Sequence, residues 1–432
     1  MPLAFPRILN LIFESNTNEV WQYFGEGITV DNFQMVSTNP FIIESSGVNY
    51  LLTSDKNYQD NGINDYVLLT SRKPTRVDLN AGRIKIKRWI KHPLFQSKTP
   101  DEIVTTWIDK FKFIKENEQE NIKGLRPPQV GALHSILAHV QNSEEKAIVV
   151  MPTGTGKTET MLATLISNCC KKLLVSVPSD SLRTQISNKF ITLGLLKEYS
   201  IVDASCLNPI VGILNRGFDT PQDLQDFVAK CNVVVSTMDL LTDFSIQQRA
   251  ILNNSFSHFF VDEAHHSEAR TWKDLIDKFD KEKVFLFTAT PFRNDGKSLQ
   301  GKVIFNFSLR KAQEQKYYKK INYLPIREYN KKLANKKIAE KAVEQLKADI
   351  AAGYNHIIMA RCKDKVRARE VFEYYNKYPE HNPIMVYTGI AGLDNKIEAI
   401  KKEQHSIIVC VNMLGEGFDL PNLKIAAIHD DK

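Results

Sequence analysis

From residue 147 onward, short apolar runs of strand length alternate with longer stretches of mixed polarity. The runs carry almost no polar positions, which predicts strands buried on both faces, as in a parallel sheet covered by helices. Two series of runs follow one another, at 147–150, 172–177, 232–236, 258–261 and 283–287, and then at 356–359, 383–386, 406–411 and 424–428. The pattern predicts an α/β protein with two parallel-sheet domains in tandem, joined through helices that include 159–167, 364–375 and 394–402.

The first 118 residues follow a different pattern. Residues 39–53 and 66–89 resemble strands interrupted by turns, and 101–118 has the periodicity of an amphipathic helix. This segment is therefore predicted to be an α+β accessory domain that precedes the two α/β domains. The expected boundaries are 1–118, 119–315 and 316–432.

Composition narrows the class of protein. With 43% hydrophobic and 25% charged residues, the 432-residue chain is expected to fold as a globular protein. No apolar run reaches membrane-spanning length and the start of the chain lacks a secretory signal pattern. The six cysteines lack ligand spacing, so reduced core thiols are favoured over a metal or disulfide site. We expect a cytoplasmic protein with no membrane partner.

The formal net charge of +7 favours a polyanionic partner. Residues 310–347 contain twelve Lys or Arg and four Glu, and a solvated linker and helix face is favoured there over a nucleic-acid patch. A second basic stretch lies in the N-terminal segment, where a solvated strand face is again the simpler interpretation. Its cations, which alternate with Ile84 and Ile86, are Arg83, Lys85, Lys87, Arg88 and Lys91.

A glycine-rich loop at 151–158 follows the apolar run 147–150 and opens the predicted helix 159–167. It reads Met-Pro-Thr-Gly-Thr-Gly-Lys-Thr. Glycines let backbone N–H groups point inward onto phosphates, the lysine reaches the β- and γ-phosphates, and the last hydroxyl can hold Mg²⁺. The loop predicts a site for ATP and Mg²⁺ at Thr153, Gly154, Thr155, Gly156, Lys157 and Thr158.

Two acids, Asp262 and Glu263, follow the apolar run 258–261 directly. The carboxyl ends of parallel strands are where open α/β sheets bind ligands. Asp262 is thus expected to hold the Mg²⁺ and Glu263 to orient the attacking water. An ordinary surface acidic pair is the alternative, and the order of loop, strand and acids favours catalysis.

Together, the loop and the Asp-Glu-Ala-His sequence resemble those of superfamily-2 helicases and translocases with a DEAH-type second motif. The resemblance covers about seven-tenths of the chain, from Gly124 to its end, with the motifs in the family's order. It implies two RecA-like lobes, ATP and Mg²⁺ as cofactors, and nucleic acid as the partner. It also implies an adenine contact through Gln129 with Arg126 nearby, and a coupling role for Thr290 with Thr288.

Further roles come from the resemblance alone. It implies contacts with a nucleic-acid backbone at Ser181, Arg183, Ser236, Thr237 and Arg361. Ordinary helix N-caps near Ser179, Ser181 and Thr237 are an equally good explanation of part of this set. Gly417 and Asp419 would line an ATP cleft between the lobes, and Val411 stands where the family often carries threonine.

The family's sixth motif, with its paired arginines, does not occur before Lys432. We therefore expect an N-terminal fragment of a longer protein, with an incomplete second lobe and impaired ATP hydrolysis. The arginines of that motif contribute roughly 10³–10⁵ to turnover in phosphoryl transfer.

The sequence thus predicts an ATP-dependent helicase or translocase that acts on nucleic acid, with DNA favoured over RNA. The Thr-Ala-Thr-Pro form at 288–291, with its trailing arginine, supports the DNA preference by resemblance only. The alternatives are a duplex-DNA translocase of a restriction or defence complex, without unwinding, and an ATP-switched nucleic-acid sensor. Bacterial anti-phage defence is a compatible setting, and the N-terminal segment offers a docking surface for a partner subunit.

Overall fold

The computed structural model describes residues 2–59, 64–266, 270–290, 299–317, 321–411 and 420–429. Contacts divide the chain into two compact units, Met1–Lys319 and Lys320–Lys432. Each unit contains a parallel β-sheet with helices in the connections. The predicted α/β class is confirmed.

The N-terminal part of the first unit is mainly β-structure. A pair of short strands, a hairpin and a five-stranded sheet in the order β5-β6-β7-β8-β9 account for it. The strands are β1 (Leu3–Ala4), β2 (Ile8–Ser15), β3 (Asn18–Gly25), β4 (Thr29–Val30), β5 (Gln34–Thr38), β6 (Phe41–Ser45), β7 (Val48–Thr53), β8 (Tyr66–Thr70) and β9 (Ile86–Lys91), with helices α1 (Arg76–Asn80) and α2 (Pro100–Thr105).

Two local predictions in this segment were wrong. The expected strand 66–89 is interrupted by α1, because the Thr75 hydroxyl accepts a hydrogen bond from the Asp78 N–H and caps a helical turn. The expected helix 101–118 ends at Thr105, since the following backbone pairs with a distant segment instead of itself. Lys112 N–H donates to the carbonyl of Ile201, at 2.7 Å.

A nine-stranded sheet forms the centre of the first unit, in the order β16-β10-β15-β14-β11-β13-β12-β3-β2. All pairs from β16 to β12 are parallel. The strands are β10 (Ala147–Val150), β11 (Leu173–Val177), β12 (Val211–Leu214), β13 (Val233–Thr237), β14 (His258–Val261), β15 (Val284–Thr288) and β16 (Lys302–Asn306). Most positions of β10 to β15 are fully buried, which explains their continuous apolar sequence.

Helices connect these strands and cover the sheet. They are α3 (Pro127–Asn142), α4 (Lys157–Ser167), α5 (Asp180–Thr192), α6 (Pro221–Ala229), α7 (Met238–Thr242), α8 (Ile246–Ser255), α9 (Arg270–Ile276) and α10 (Leu309–Glu314). Side chains from α3, α4 and α5 join the buried strand residues in one large hydrophobic cluster.

The hairpin β2–β3 extends the central sheet, although sequence analysis expects residues 1–118 to form a separate domain. β3 pairs antiparallel with β12. Asn18 fixes this junction: its amide oxygen accepts from the N–H groups of Asn215 (2.7 Å) and Arg216 (2.9 Å), and its amide nitrogen donates to the Arg216 carbonyl at 3.0 Å. The hairpin and the α/β layers therefore form one unit.

The second unit contains a four-stranded parallel sheet in the order β18-β19-β17-β20. Its elements are α11 (Lys331–Ala351), β17 (Ile357–Cys362), α12 (Lys365–Tyr375), β18 (Ile384–Val386), α13 (Leu393–Lys401), β19 (Ile407–Val411) and β20 (Leu423–Ile428). These bounds agree within about one to three residues with the predicted second series of strands and helices.

Candidate nucleotide-binding site

The loop 151–158 connects β10 to α4 at the carboxyl end of the central sheet. Its turn depends on two glycines in the left-handed region, Gly154 with φ +83° and Gly156 with φ +94°. Gly156 is the N-cap of α4, so the helix begins at Lys157. Backbone N–H groups at such a helix start are free to bind an anion. The local fold is therefore the one the glycine pattern predicts.

Side chains within the loop divide between structure and surface. The Thr155 hydroxyl donates to the Pro152 carbonyl at 2.6 Å and is buried, so this hydroxyl fastens the loop to itself. Thr153 and Gly154 are exposed, and Thr158 is half-buried at the start of α4. The Thr155 hydroxyl is therefore used within the loop, and the Thr158 hydroxyl at the start of α4 is the candidate ligand for a cation.

Arg126 and Gln129, at the start of α3, both contact the loop. Arg126 Nη1 donates to the Gly154 carbonyl at 2.9 Å, and Gln129 Nε2 lies 3.4 Å from the Gly156 carbonyl. Gln129 Oε1 accepts from the Arg126 N–H at 2.7 Å. A β-carbon added at Gly156 would lie 2.0 Å from Gln129 Nε2, so this glycine leaves space for the glutamine. The two predicted adenine-side residues therefore also position the loop.

The acidic pair follows β14 in a sharp turn. The Asp262 N–H donates to the Ser176 carbonyl at 2.9 Å, which continues the strand pairing by one residue. Glu263 then adopts φ +49°, an uncommon conformation for a residue with a side chain. Its N–H donates to Asp262 Oδ1 at 3.0 Å. The turn keeps both carboxylates buried at the end of the sheet.

Lys157 and the acidic pair meet at this edge. Lys157 Nζ donates to Glu263 Oε1 and lies 3.9 Å from Asp262 Oδ1. The lysine side chain is only 7% exposed, and the two acids are comparably buried. Charges removed from water in this way must be compensated by one another. The structure thus brings together the three side chains that sequence analysis predicts to share one site.

A second set of polar contacts leads away from Glu263. His265 Nδ1 lies 3.5 Å from Glu263 Oε2 and 3.4 Å from Thr288 Oγ1. The Thr288 hydroxyl donates to the Thr290 carbonyl at 2.8 Å. Strands β14 and β15 are neighbours in the sheet, so their carboxyl ends place these groups side by side. The segment 288–290 is therefore linked to the acidic pair through His265, to which sequence analysis gave no role.

Glu116 and Tyr317 are further residues that sequence reasoning missed. Tyr317 Oη donates to Glu116 Oε1 at 3.2 Å, and the Arg126 guanidinium lies over the Tyr317 ring at 5.7 Å from its centroid. Burial, with the nearby Glu116 carboxylate, raises the pKa of Tyr317 to about 12. Among the described contacts, Arg126 connects these two residues to the loop. No spacing in the sequence indicates this connection.

The predicted nucleic-acid contacts lie in mixed environments. Ser181 is exposed in the first turn of α5, where Ser179 provides the N-cap, and Thr237 precedes α7 without a side-chain capping bond. Arg183 is largely buried and bonded to Asp180 at 2.8 Å. Arg361 is exposed on β17 of the second unit.

Ser236 does not fit the prediction of a backbone contact. It is fully buried within β13 and its hydroxyl donates to the Thr237 carbonyl at 3.2 Å. A side chain enclosed by a two-sided buried strand cannot reach a phosphate. Gly417 and Asp419 lie outside the described residues.

Oxygen ligands for a divalent cation occur at the loop and the acidic pair, in the Thr158 hydroxyl and the Asp262 carboxylate. Mg²⁺ prefers hard oxygen ligands and shares them with substrate phosphates, so this donor set fits the ion. Among the described residues, no group of three His, Cys, Asp or Glu side chains has the arrangement of an all-protein metal site. The six cysteines are free thiols. Within the described ranges, none of the helices has the length and apolar character needed to cross a membrane.

Part of the chain is similar in sequence to known proteins. Residues 122–293 match the family described as type III restriction enzyme, res subunit. A protein assigned as helicase 22 of the Sulfolobus islandicus filamentous virus is 24% identical over 200 residues, which cover 39% of this chain and 36% of that protein. The chain is thus matched over little more than a third of that relative's length.

The chain is also similar to three solved structures. One is a fragment assigned to the HsdR subunit of a type I restriction enzyme from Vibrio vulnificus, with 13% identity, 100% of this chain and 82% of that chain covered, and a TM-score of 0.48. Mss116p bound to ssRNA and AMP-PNP has 16% identity, 76% and 68% coverage and a TM-score of 0.45. A Dbp5 variant of S. cerevisiae bound to RNA and ADP BeF3 has 14% identity, 71% and 79% coverage and a TM-score of 0.42.

In its parallel sheet, its glycine loop and the family model that matches residues 122–293, the chain is similar to superfamily-2 helicase-type proteins, as the motifs predict.

Proposed function

We propose that this protein is an ATP-dependent nucleic-acid motor that binds Mg²⁺-ATP between the loop 151–158 and the acidic pair. The observation that carries the proposal is the convergence of Lys157, Asp262 and Glu263 at one edge of the sheet. A phosphate-binding loop alone serves many reactions, whereas a loop lysine opposite two acids is arranged for hydrolysis of the terminal phosphate.

Each residue receives a role that its position supports. Lys157 and the backbone N–H groups of 153–156 bind the β- and γ-phosphates, and the Thr158 hydroxyl and Asp262 carboxylate hold the cation. Mg²⁺ bound there neutralises phosphate charge. Glu263 accepts a hydrogen bond from the attacking water and orients it, with His265 within reach of its second oxygen.

The ion pair between Lys157 and Glu263 has a consequence for nucleotide binding. A phosphate bound at the loop would compete with Glu263 for the Lys157 ammonium, so we expect ATP to weaken this ion pair. The exchange frees Glu263 to contact water at the moment when a substrate is present. Nucleotide binding would thereby make the Glu263 carboxylate available to act on water.

For the nucleic-acid partner we propose DNA, gripped through its backbone. Ser181 and Thr237 in the first unit and Arg361 in the second are the remaining contact candidates, and Thr290 would relay phosphate status to that grip. The family description as a restriction-enzyme subunit supports DNA over RNA. For contacts with the adenine of ATP, Arg126 and Gln129 are the candidates.

The proposal is tested by measuring ATP turnover of the purified protein with single-stranded, duplex and forked DNA and with RNA, at stated salt concentrations. We expect stimulation by DNA, and loss of turnover in Lys157→Ala. Lys189→Ala is the matched control, since this lysine is half-buried and bonded to Glu159 at 2.6 Å. Turnover by Lys157→Ala equal to that of the wild type would refute the site.

A duplex translocase without strand separation is the second candidate, favoured by the same restriction-subunit match. Strand displacement and triplex displacement separate the two functions, because a translocase that does not unwind is active only in the second assay. Activity in both assays would establish the helicase.

A further inference from the structure

Between residues 71 and 87 the structure concentrates positive charge on one surface of the N-terminal sheet. Six exposed cations define what we call the N-terminal basic patch: Arg72, Lys73, Arg76, Arg83, Lys85 and Lys87. Asp78 is the single acid in the same stretch, so these 17 residues account for five of the chain's formal net charge of +7.

The fold, not the sequence alone, brings the two halves of this patch together. The Ser71 N–H and hydroxyl both donate to the Lys85 carbonyl, at 2.9 Å and 3.1 Å. Arg72 Nη2 lies 2.6 Å, and Arg83 Nε 3.5 Å, from Asp78 Oδ1. The segments directly before and after α1 therefore present their cations side by side.

Along residues 83–87, which lead into β9, exposed positions alternate with half-buried ones. Ile84 and Ile86 pack against the hydrophobic cluster of the N-terminal sheet, so Arg83, Lys85 and Lys87 occupy the opposite face. β9 is an edge strand of the described sheet. The patch is thus a surface that no described strand of this sheet covers.

The basic stretch 310–347 serves as an internal comparison. Five of its cations form ion pairs: Arg310 with Glu314, Lys336 with Glu340, Lys337 with Glu328, Lys341 with Glu344 and Lys347 with Glu380. In the N-terminal basic patch, by contrast, the described residues supply no ion-pair partner to Lys73, Arg76, Lys85 or Lys87. In the patch only Arg72 and Arg83 contact an acid among the described residues, the shared Asp78, so four of its six cations face solvent and are available to an anion.

We infer that the N-terminal basic patch is a second, sequence-independent binding surface for the phosphate backbone of duplex nucleic acid, outside the motor layers. The inference depends on the proposed function for its choice of partner. Six closely spaced cations with a single acid among them suit the regular phosphate charges of a duplex, and each neutralised phosphate releases counterions. Lysine and arginine side chains of this kind position a duplex without reading bases.

The test uses the variant Lys73→Gln/Lys85→Gln/Lys87→Gln, which removes three exposed cations that stabilise no observed contact. The matched control is Lys278→Gln/Lys281→Gln/Lys302→Gln, which removes the same charge from other exposed positions of the first unit. Binding of short fluorescein-labelled DNA and RNA duplexes is measured by anisotropy without nucleotide, over a range of salt concentrations.

The patch variant is expected to bind about tenfold or more weakly, with a slope of log K against log salt reduced by roughly two to three, whereas the control retains most of the slope. Equal losses in both variants would mean that overall charge, not this surface, sets affinity and would overturn the inference. Unchanged duplex affinity of the patch variant would also overturn it, and would favour an acidic protein partner.

Failure of this inference is distinguishable from failure of the proposed function. ATP turnover without nucleic acid depends on Lys157 and not on the patch, so it is measured in parallel on each variant. Normal basal turnover together with normal duplex affinity in the patch variant would refute the inference about the patch and leave the proposed motor function intact. A wild-type protein that binds duplexes through the patch but never hydrolyses ATP would refute the motor function and leave the patch intact.

Discussion

The Lys157 ammonium donates a hydrogen bond to the Glu263 carboxylate, although 106 positions separate them in the sequence. Both side chains are buried, so each compensates the charge of the other. Two residues with different proposed partners, a phosphate and a water molecule, are therefore partners of one another in this structure. Substitution of either residue will consequently affect the other.

Glu263→Gln is predicted to retain ATP binding and to lose ATP hydrolysis by about 10²–10⁴-fold, because an amide cannot take a proton from water. ATP affinity should remain equal or become tighter, since the neutral amide competes less for Lys157. A fluorescent ATP analogue and a phosphate-release assay measure the two properties separately.

The matched control is Glu159→Gln, which removes a carboxylate from the first turn of α4 that is bonded to Lys189. Its turnover should stay near that of the wild type. A normal turnover in Glu263→Gln would exclude the proposed role of this glutamate.

Gly156→Ala is predicted to weaken ATP binding by about tenfold or more, because a residue with a β-carbon is strained at this positive φ and would displace Gln129. Gly47 provides the control. Its φ of +79° carries similar strain, but nothing lies within 4 Å of an added β-carbon.

Gly47→Ala should therefore lower stability slightly and leave ATP affinity unchanged. Isothermal titration with a nonhydrolysable analogue compares the two variants. Equal ATP affinities in Gly156→Ala and Gly47→Ala would show that the contact with Gln129 does not shape the loop.

His258, at the start of β14, predicts a pH dependence of stability. Burial lowers the pKa of this imidazole from 6.5 to about 4. Between these values the unfolded chain binds the proton and the folded chain does not, so folding loses stability as the pH falls from 6.5 toward 4. The loss amounts to about 3 kcal/mol when complete.

The measurement is chemical denaturation of wild type and His258→Gln at several pH values, with His134→Gln as an exposed control. The wild type and the control should lose stability in parallel, and His258→Gln should lose less. Three parallel curves would contradict the assignment of this dependence to His258.

Asn18→Ala is predicted to destabilise the first unit by about 2–3 kcal/mol, because two N–H groups and one carbonyl lose their partner at the junction of β3 and β12. Asn10→Ala on the same hairpin is the control, since it is half-buried and its side chain does not bridge to this junction. Thermal unfolding followed by circular dichroism compares them.

If the N-terminal segment were an independent domain, Asn18→Ala would leave the unfolding of the nucleotide site unchanged. The rise in unfolding temperature that ATP causes, measured in the same experiment, reports on that site. We expect Asn18→Ala to shift the unfolding of the whole first unit, with and without ATP, in one cooperative transition.

Strand positions in the two α/β layers were predictable because a strand buried on both faces requires a continuous run of apolar residues. β14 begins and ends where 258–261 predicts, and the glycine loop opens α4 as expected. The N-terminal segment was less predictable. Its helix at 101–118 was wrong because backbone pairing with Ile201, which no local pattern indicates, replaced helical bonds.

The site followed the same division. Asp262 and Glu263 were predictable because they follow a strand directly, and Lys157 because it opens the helix after a glycine loop. Glu116 and Tyr317 were not, since they meet Arg126 only through the packing of distant loops. Ser236 does not fit its predicted phosphate contact, because it lies on a fully buried strand and its hydroxyl donates to the Thr237 carbonyl.

The sequence by itself determined the chemistry of this protein: a phosphate loop, an acidic pair and the strands that carry them, because local spacing fixes those elements. Only the tertiary structure decided which groups are partners. It paired Lys157 with Glu263, joined the hairpin to the central sheet through Asn18, and set Arg72 beside Arg83. Such contacts depend on the packing of segments far apart in the chain, which no periodicity records.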